Sequence, residues 1–380
     1  MPAMQRQILF IHQNFPGQYR HLAPALAAQA GHRVVAMRMG AGGRWNGVEV
    51  VGYEVKAPDT GPAHPWLIDL HPKLVRAEAL ARKALELRSQ GFTPDVIIAH
   101  PGWGETLLLH EVWPGVPIGL YCEFFYGAHG ADVNFDNEFP PLSDPLANAG
   151  RLRVKNVNQL LAFDDARRGI APTDWQRSLY PERMRQTIDV IHDGIDTRVL
   201  VPNPKVVMRL GEKLTLTRDD EIITFVNRNL EPYRGYHVFM RALPQLLRSR
   251  PKARVLIVGA DGTSYGSPPP EGKTWRNIFL DEVKGELDMS RVHFVGRLEY
   301  RDFIQMLQLS RVHVYLTYPF VLSWSLLEAM SIECAIVASD TAPVREVIRH
   351  GEHGLLTDFF DGKALVARVC ELLDLSLIHI

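Results

Sequence analysis

The sequence predicts an α/β protein of two doubly wound, Rossmann-like domains that face each other across a cleft. Three observations predict it. A chain of 380 residues exceeds what one compact core accommodates. Short apolar runs alternate with helical periods along its length. The alternation breaks at a turn, His192-Asp-Gly-Ile-Asp196, and then starts again. No segment repeats with a period of about 20–50 residues, which excludes a solenoid. The predicted boundaries are 1–195 for the first domain and 196–374 for the second.

Gln7–Ile11 reads as a first buried parallel strand, followed by a loop at 12–19, a helix at 20–29 ended by Gly31, and a second strand at 33–37. Residues 71–90 are helical, 95–99 and 117–121 are strands, and 127–150 are irregular. A helix over about 151–168 and short strands near 169–173 and 188–191 close the first domain. In the second, the spacing predicts strands at 221–226, 253–258, 292–295, 312–316 and 335–338. Helices are expected at about 236–248, 300–309 and 325–331, and a mobile Gly/Ser/Pro loop at 261–273.

Hydrophobic residues make up 46% of the chain and charged residues 22%, with a formal net charge of −1, so bulk charge gives no case for a nucleic-acid partner. Cys122, Cys334 and Cys370 have no metal-ligand spacing and read as reduced thiols. The first apolar run is too short for a signal peptide and no run is long enough to span a bilayer. The expected location is therefore cytoplasmic. Lys73, Arg76, Arg82, Lys83 and Arg88, beside Leu74, Leu80 and Leu85, form a stripe that allows peripheral contact with an anionic membrane, although such stripes are more often solvated helix faces. Residues 375–380, Leu-Ser-Leu-Ile-His-Ile, resemble the translation of a sequencing adapter. They are expected to be a non-native tail on a second domain cut short.

In doubly wound sheets, ligands bind outside the carboxyl ends of the strands. His100, Glu123 and the 12–19 loop fall there in the first domain. In the second, Arg228 and Arg234 follow a strand on a turn, where two cations suit a leaving phosphate. The segment Ser323-Trp324-Ser325-Leu-Leu-Glu328 opens a helix whose free N–H groups suit a diphosphate, with Glu328 placed for ribose hydroxyls. The spacing Ser325-x-x-Glu328 equally fits a capping box. Gly296 and Arg297 end another strand, where the backbone can read a nucleobase edge.

These segments, in order, resemble glycosyltransferase family 4: Arg228…Arg234-Gly235, Val255-Leu-Ile-Val-Gly259, Phe294-Val-Gly296, Leu327-Glu328-Ala-Met330 and Ile336-Val-Ala-Ser339…Glu346…Gly351…Gly354. Phe15-Pro-Gly17 and Gly31-His32 resemble the family's N-terminal half. The resemblance implies the GT-B fold, retaining chemistry, a nucleotide-sugar donor and no metal or other cofactor. It implies that Arg228 and Arg234 hold the diphosphate, Glu328 the ribose, the backbone at Trp324 and Ser325 the phosphates, Gly296 and Arg297 the base, and Gly17 the diphosphate from the opposing domain. The chain departs from the family where Phe320 stands for the first of two glutamates and Glu123 for a histidine. Residues 321–323 are Val-Leu-Ser in place of a glycine-containing stretch, and Arg228 and Arg234 are one residue further apart than the commonest spacing. The expected reaction is front-face transfer of a hexose to a glycan, lipid-linked or small-molecule acceptor, with Arg228, Arg234, Glu123 and His100 at the reacting centre. An epimerase and a non-catalytic nucleotide-sugar-binding protein are the alternatives.

Overall fold

The structure, a computed structural model, describes residues 6–57, 61, 63–141, 144–211 and 214–375. The chain divides into two units between Asp193 and Gly194.

The first unit is an eight-stranded sheet: β1 (Gln7–Ile11), β2 (Arg33–Met39), β3 (Gly43–Trp45), β4 (Val48–Tyr53), β5 (Val96–Ala99), β6 (Ile118–Tyr121), β7 (Ala166–Ala171) and β8 (Ile188–Val190). Its order is β3-β4-β2-β1-β5-β6-β7-β8, and every pair is parallel except β3 with β4. Leu9, Phe10 and Ile11 are fully buried because both faces of β1 are covered. The chain runs outward from β1 to β4, then returns through the helix His71–Ser89 to place β5 beside β1. The order therefore reverses between β1 and β5, and the loops that start at His12 and His100 meet there.

The hairpin β3–β4 lies where the sequence reading placed no element. Its turn is Asn46-Gly47, with φ of 45° and 85°, a pair that favours a tight two-residue hairpin. The helix expected over 151–168 is two helices, Pro145–Lys155 and Val157–Asp165. The first starts inside the segment read as irregular, where Asp144 caps it by accepting from Leu146 and Ala147 N–H. The two meet at Asn156, whose amide exchanges two hydrogen bonds with the Tyr126 backbone at 3.1 and 2.7 Å. Residues 166–168 belong to β7.

The second unit opens with an antiparallel pair, β9 (Val207–Leu210) and β10 (Leu214–Thr217). A six-stranded parallel sheet follows: β11 (Ile222–Asn229), β12 (Arg254–Ala260), β13 (Val292–Gly296), β14 (Val312–Tyr315), β15 (Ala335–Ser339) and β16 (Leu355–Thr357), ordered β13-β12-β11-β14-β15-β16. Its reversal lies between β11 and β14. The helix Tyr236–Ser249 packs on the sheet, with Phe239 stacked on Phe225 at 4.4 Å. Burying each ring is worth about 2–3 kcal/mol. Gly235, at φ 68°, starts that helix; a Cβ there would lie 2.3 Å from that of Leu316. The helices Trp275–Val283 and Gly362–Leu375, the hairpin β9–β10 and strand β16 are further elements beyond the sequence reading. Residues 376–380 of the suspected tail lie outside the described residues.

Candidate functional site

At the reversal of the first sheet, four polar side chains form one connected group. His12 directly follows β1, His100 directly follows β5, and Glu123 lies two residues beyond β6. Gln18 sits in the short turn Gly17–Tyr19. His12 Nε2 lies 2.6 Å from Gln18 Oε1, and Gln18 Nε2 donates to Glu123 Oε1 at 2.8 Å. His100 Nε2 approaches Glu123 Oε2 at 3.3 Å. Backbone contacts fix the tautomers. Asn14 N–H donates to His12 Nδ1 and Gly102 N–H to His100 Nδ1, both at 3.0 Å. A ring nitrogen that accepts bears no proton, so each ring carries its proton on Nε2. Burial and the neighbouring His100 push the His12 pKa down to about 3, so its ring is neutral at physiological pH.

Burial by itself would raise the Glu123 carboxyl. The approach of His100, the nearby His12 and the Gln18 bond outweigh it and hold the carboxyl below its ordinary range. Trp103 stacks on His100 at 4.3 Å and meets the edge of His12 at 4.8 Å. Gly17, at φ 45°, lies against the His12 ring, which a Cβ would meet at 2.2 Å. His12 and Gln18 were foreshadowed in the sequence only as members of the 12–19 loop.

The second unit gathers its groups around β11 and β14. Strand β11 runs three residues further than expected, so Arg228 lies on the strand and not on a turn after it. Its side chain is exposed and makes no hydrogen bond or ion pair among the described residues. Arg234 is 6% exposed. Its Nη1 donates to Thr317 Oγ1 at 2.7 Å, Val321 O at 3.0 Å and Tyr315 Oη at 3.3 Å. Its guanidinium lies 5.3 Å from the Tyr265 ring centre and 5.8 Å from that of Phe320. No carboxylate pairs with it among the described residues. The adjacent Glu231 is committed elsewhere, accepting from the N–H groups of Ser264, Tyr265 and Gly266 at 3.1–3.4 Å. The loop expected to be mobile is thus tied to a buried carboxylate. Tyr265, carried by that loop, packs against Phe320 at 4.8 Å.

The helix Trp324–Ser331 is capped by Ser323, whose hydroxyl accepts from Ser325 N–H at 3.4 Å. This removes the capping-box reading of Ser325 and Glu328, because Ser325 is already inside the helix. Glu328 is buried and its Oε1 accepts from Tyr300 Oη at 2.9 Å. Trp324 is half-buried and Ser325 buried. Gly296, at φ 66°, borders open space, and Arg297 beside it is exposed.

The cationic stripe expected on the helix His71–Ser89 does not form one face. Lys73 and Leu80 are buried, and Lys73 Nζ bonds Lys155 O and Asn158 Oδ1 at 2.7 and 2.8 Å. Arg76 and Arg88 bond the backbone carbonyls of Trp103 and Val112, while Arg82 and Lys83 pair with Glu78 and Glu86. Among the described residues no helix is long and apolar enough to cross a membrane.

Solved structures share this architecture. Sucrose-phosphate synthase from Thermosynechococcus elongatus superposes with a TM-score of 0.72 at 16% identity, covering 98% of this chain and 91% of that one. Alr3699/HepE of Anabaena, in complex with UDP, gives 0.62 at 16% identity, covering 98% and 90%. The fold is that of the GT-B glycosyltransferases. The model of the glycosyl transferase family 4 group matches residues 30–200, and that of the glycosyl transferases group 1 matches 209–377. The chain belongs to glycosyltransferase family 4. D-inositol 3-phosphate glycosyltransferase of Segniliparus rotundus is 26% identical over 205 residues, 50% of this chain and 43% of that protein. The chain thus aligns with under half the length of this relative.

Proposed function

We propose that this chain transfers a hexose from a nucleotide-sugar donor to a glycan, lipid-linked or small-molecule acceptor with retention of configuration. The observation that carries the reading is Arg234. A guanidinium buried at the carboxyl end of the switch-point strands, bonded among the described residues to neutral oxygens, is an electrostatic environment made for an anion. The helix that starts at Trp324, with Ser323 as its cap, adds backbone N–H groups of the same polarity.

In this reading the second unit holds the donor. Arg228 and Arg234 stabilise the charge that develops on the leaving diphosphate. Glu328, steadied by Tyr300, takes the ribose hydroxyls, and Gly296 and Arg297 border the base. In the first unit, Glu123 or His100 orients the acceptor or the donor sugar. A leaving-phosphate oxygen takes the acceptor's proton as the new bond forms on the same face, so alignment and charge stabilisation are the protein's share. The arginines and helix start supply the positive charge, and we expect no metal requirement.

Thermal stabilisation by a panel of free nucleotides and nucleotide sugars tests this, with Glu328→Ala alongside. The expected result is a shift from one diphosphate nucleotide that the substitution abolishes. Folded protein that no nucleotide stabilises would sink the assignment. A second reading, nucleotide-sugar binding without turnover, draws on Phe320 standing where the family has a carboxylate. Binding without release of nucleoside diphosphate would favour it.

A further inference from the structure

Glu123 has more hydrogen-bonding capacity than its neighbours use. A carboxylate offers about four lone-pair directions. Gln18 Nε2 takes one on Oε1, and His100 Nε2 faces Oε2 at 3.3 Å. About two remain, and the side chain is 32% exposed.

The direction of the hydrogen bonds is fixed from both ends. His12 accepts through Nδ1 from Asn14 N–H, so its Nε2–H must donate, and Gln18 must present Oε1 to it. That orientation turns the Gln18 amide nitrogen onto Glu123. His100 likewise accepts through Nδ1 and turns its Nε2–H toward the same carboxylate. Gln18 thus donates to Glu123 while His100 Nε2 faces it from a separate loop at 3.3 Å, and both present the carboxylate with positive polarity. Hydrogen-bond donors of this kind favour the ionised form over the protonated one. A ligand that meets Glu123 has to bring donors, because the carboxylate has none to give. Trp103, half-buried against both histidines, adds an apolar surface beside it.

We infer that Glu123 is a specificity-determining residue that selects a neutral, hydroxyl-bearing sugar and rejects one carrying a carboxylate, with Gln18 as its positioning residue. This deepens the proposed function and rests on it. Hydroxyls of a neutral hexose donate to the two remaining lone-pair directions. A sugar acid brings a second negative charge to a carboxylate that already has one, and like charges brought together in a site are strongly unfavourable.

The test compares binding of the full chain to three probes that share one nucleotide: the bare nucleoside diphosphate, its neutral hexose conjugate and the matching hexuronate conjugate. UDP with UDP-glucose and UDP-glucuronate is one set, and GDP with GDP-mannose and GDP-mannuronate the other. Titration calorimetry gives the ratio of hexose to hexuronate affinity within the set that binds. The expected ratio is at least about tenfold in the wild type. It should fall toward unity in Glu123→Gln and persist in Glu123→Asp, which keeps the charge. In Gln18→Ala the hexose should lose affinity relative to the bare diphosphate, a change that general loosening of the fold would not confine to the sugar. A wild type that binds both conjugates equally, or a ratio that survives in Glu123→Gln, overturns the inference and leaves the proposed function standing. A chain that binds no bare diphosphate overturns both.

Discussion

At the scale of single residues, the two arginines that look equivalent in the sequence separate by environment. Arg228 is exposed and without partners among the described residues, so its charge is available at little structural cost. Arg234 is buried and supplies three oxygens with their hydrogen bonds. Substituting each by alanine should therefore give different signatures. Arg228→Ala is expected to cut turnover at least about a hundredfold while leaving the melting temperature nearly unchanged. Arg234→Ala should cut turnover by as much and also lower stability by about 1–3 kcal/mol, since buried acceptors lose their donor. Paired kinetics and thermal melts check this. A near-normal rate for Arg228→Ala would remove that residue from the mechanism. Arg234→Lys should rescue little, because a point charge cannot reproduce the fork of a guanidinium.

At the scale of elements, Glu231 organises the loop between β12 and the helix Trp275–Val283. One carboxylate bonds three successive backbone N–H groups, Ser264, Tyr265 and Gly266. That grip sets Tyr265 against Phe320 and near Arg234. Glu231→Ala should release it. Amide hydrogen exchange at 264–266 is expected to accelerate strongly, with less change in the strands β11 and β12. Unchanged protection would mean that the loop is held by its aromatic packing alone. The loop's composition, rich in Gly, Ser and Pro, suggested mobility because composition records local freedom. It does not record a carboxylate some 33 residues away in sequence. The hairpin at Asn46-Gly47 is the opposite case, because its signal is local and legible in the dipeptide itself.

At the scale of the whole molecule, each unit encloses a neutral histidine. Burial pushes His12 down to about 3 in the first unit, aided by His100, and His313 down to about 4 in the second. Both lie below the ordinary value of 6.5 that the unfolded chain keeps. Below that value the unfolded state binds more protons, so unfolding is favoured as the pH falls. The stability these rings hold is complete above pH ~6.5 and is lost progressively toward pH ~4 and below, at up to about 1.4 kcal/mol per pH unit for each. Melting temperatures measured from pH 7 to 4 should fall accordingly, and His313→Leu should flatten the slope. The Thr224 hydroxyl, 2.9 Å from His313 Nδ1, also pairs with the Ser310 hydroxyl at 2.7 Å and so retains a partner in that variant. An identical slope in wild type and variant would exclude His313 as a source of the acid sensitivity.

By itself the sequence determined the class of the molecule. Apolar runs of strand length, helical periods between them and a restart after the turn at 192–196 specify two doubly wound units, because parallel strands covered on both faces must be apolar throughout. The ordered segments from Arg228 to Gly354 carried the family. Strand ends pointed to His100 and Glu123, since loop residues at carboxyl ends can be counted along the chain, and a helix start pointed to Glu328. Only the tertiary structure decided which of these groups are connected. The link from His12 through Gln18 to Glu123 spans 105 residues between its last two members, and no periodicity encodes a hydrogen bond across that separation. The burial of Arg234, the exposure of Arg228 and the capture of Glu231 likewise depend on what neighbouring strands place beside each side chain. Sequence pattern reports the face a residue occupies, whereas its charge partners are set by chain segments that meet only when the sheet closes around them.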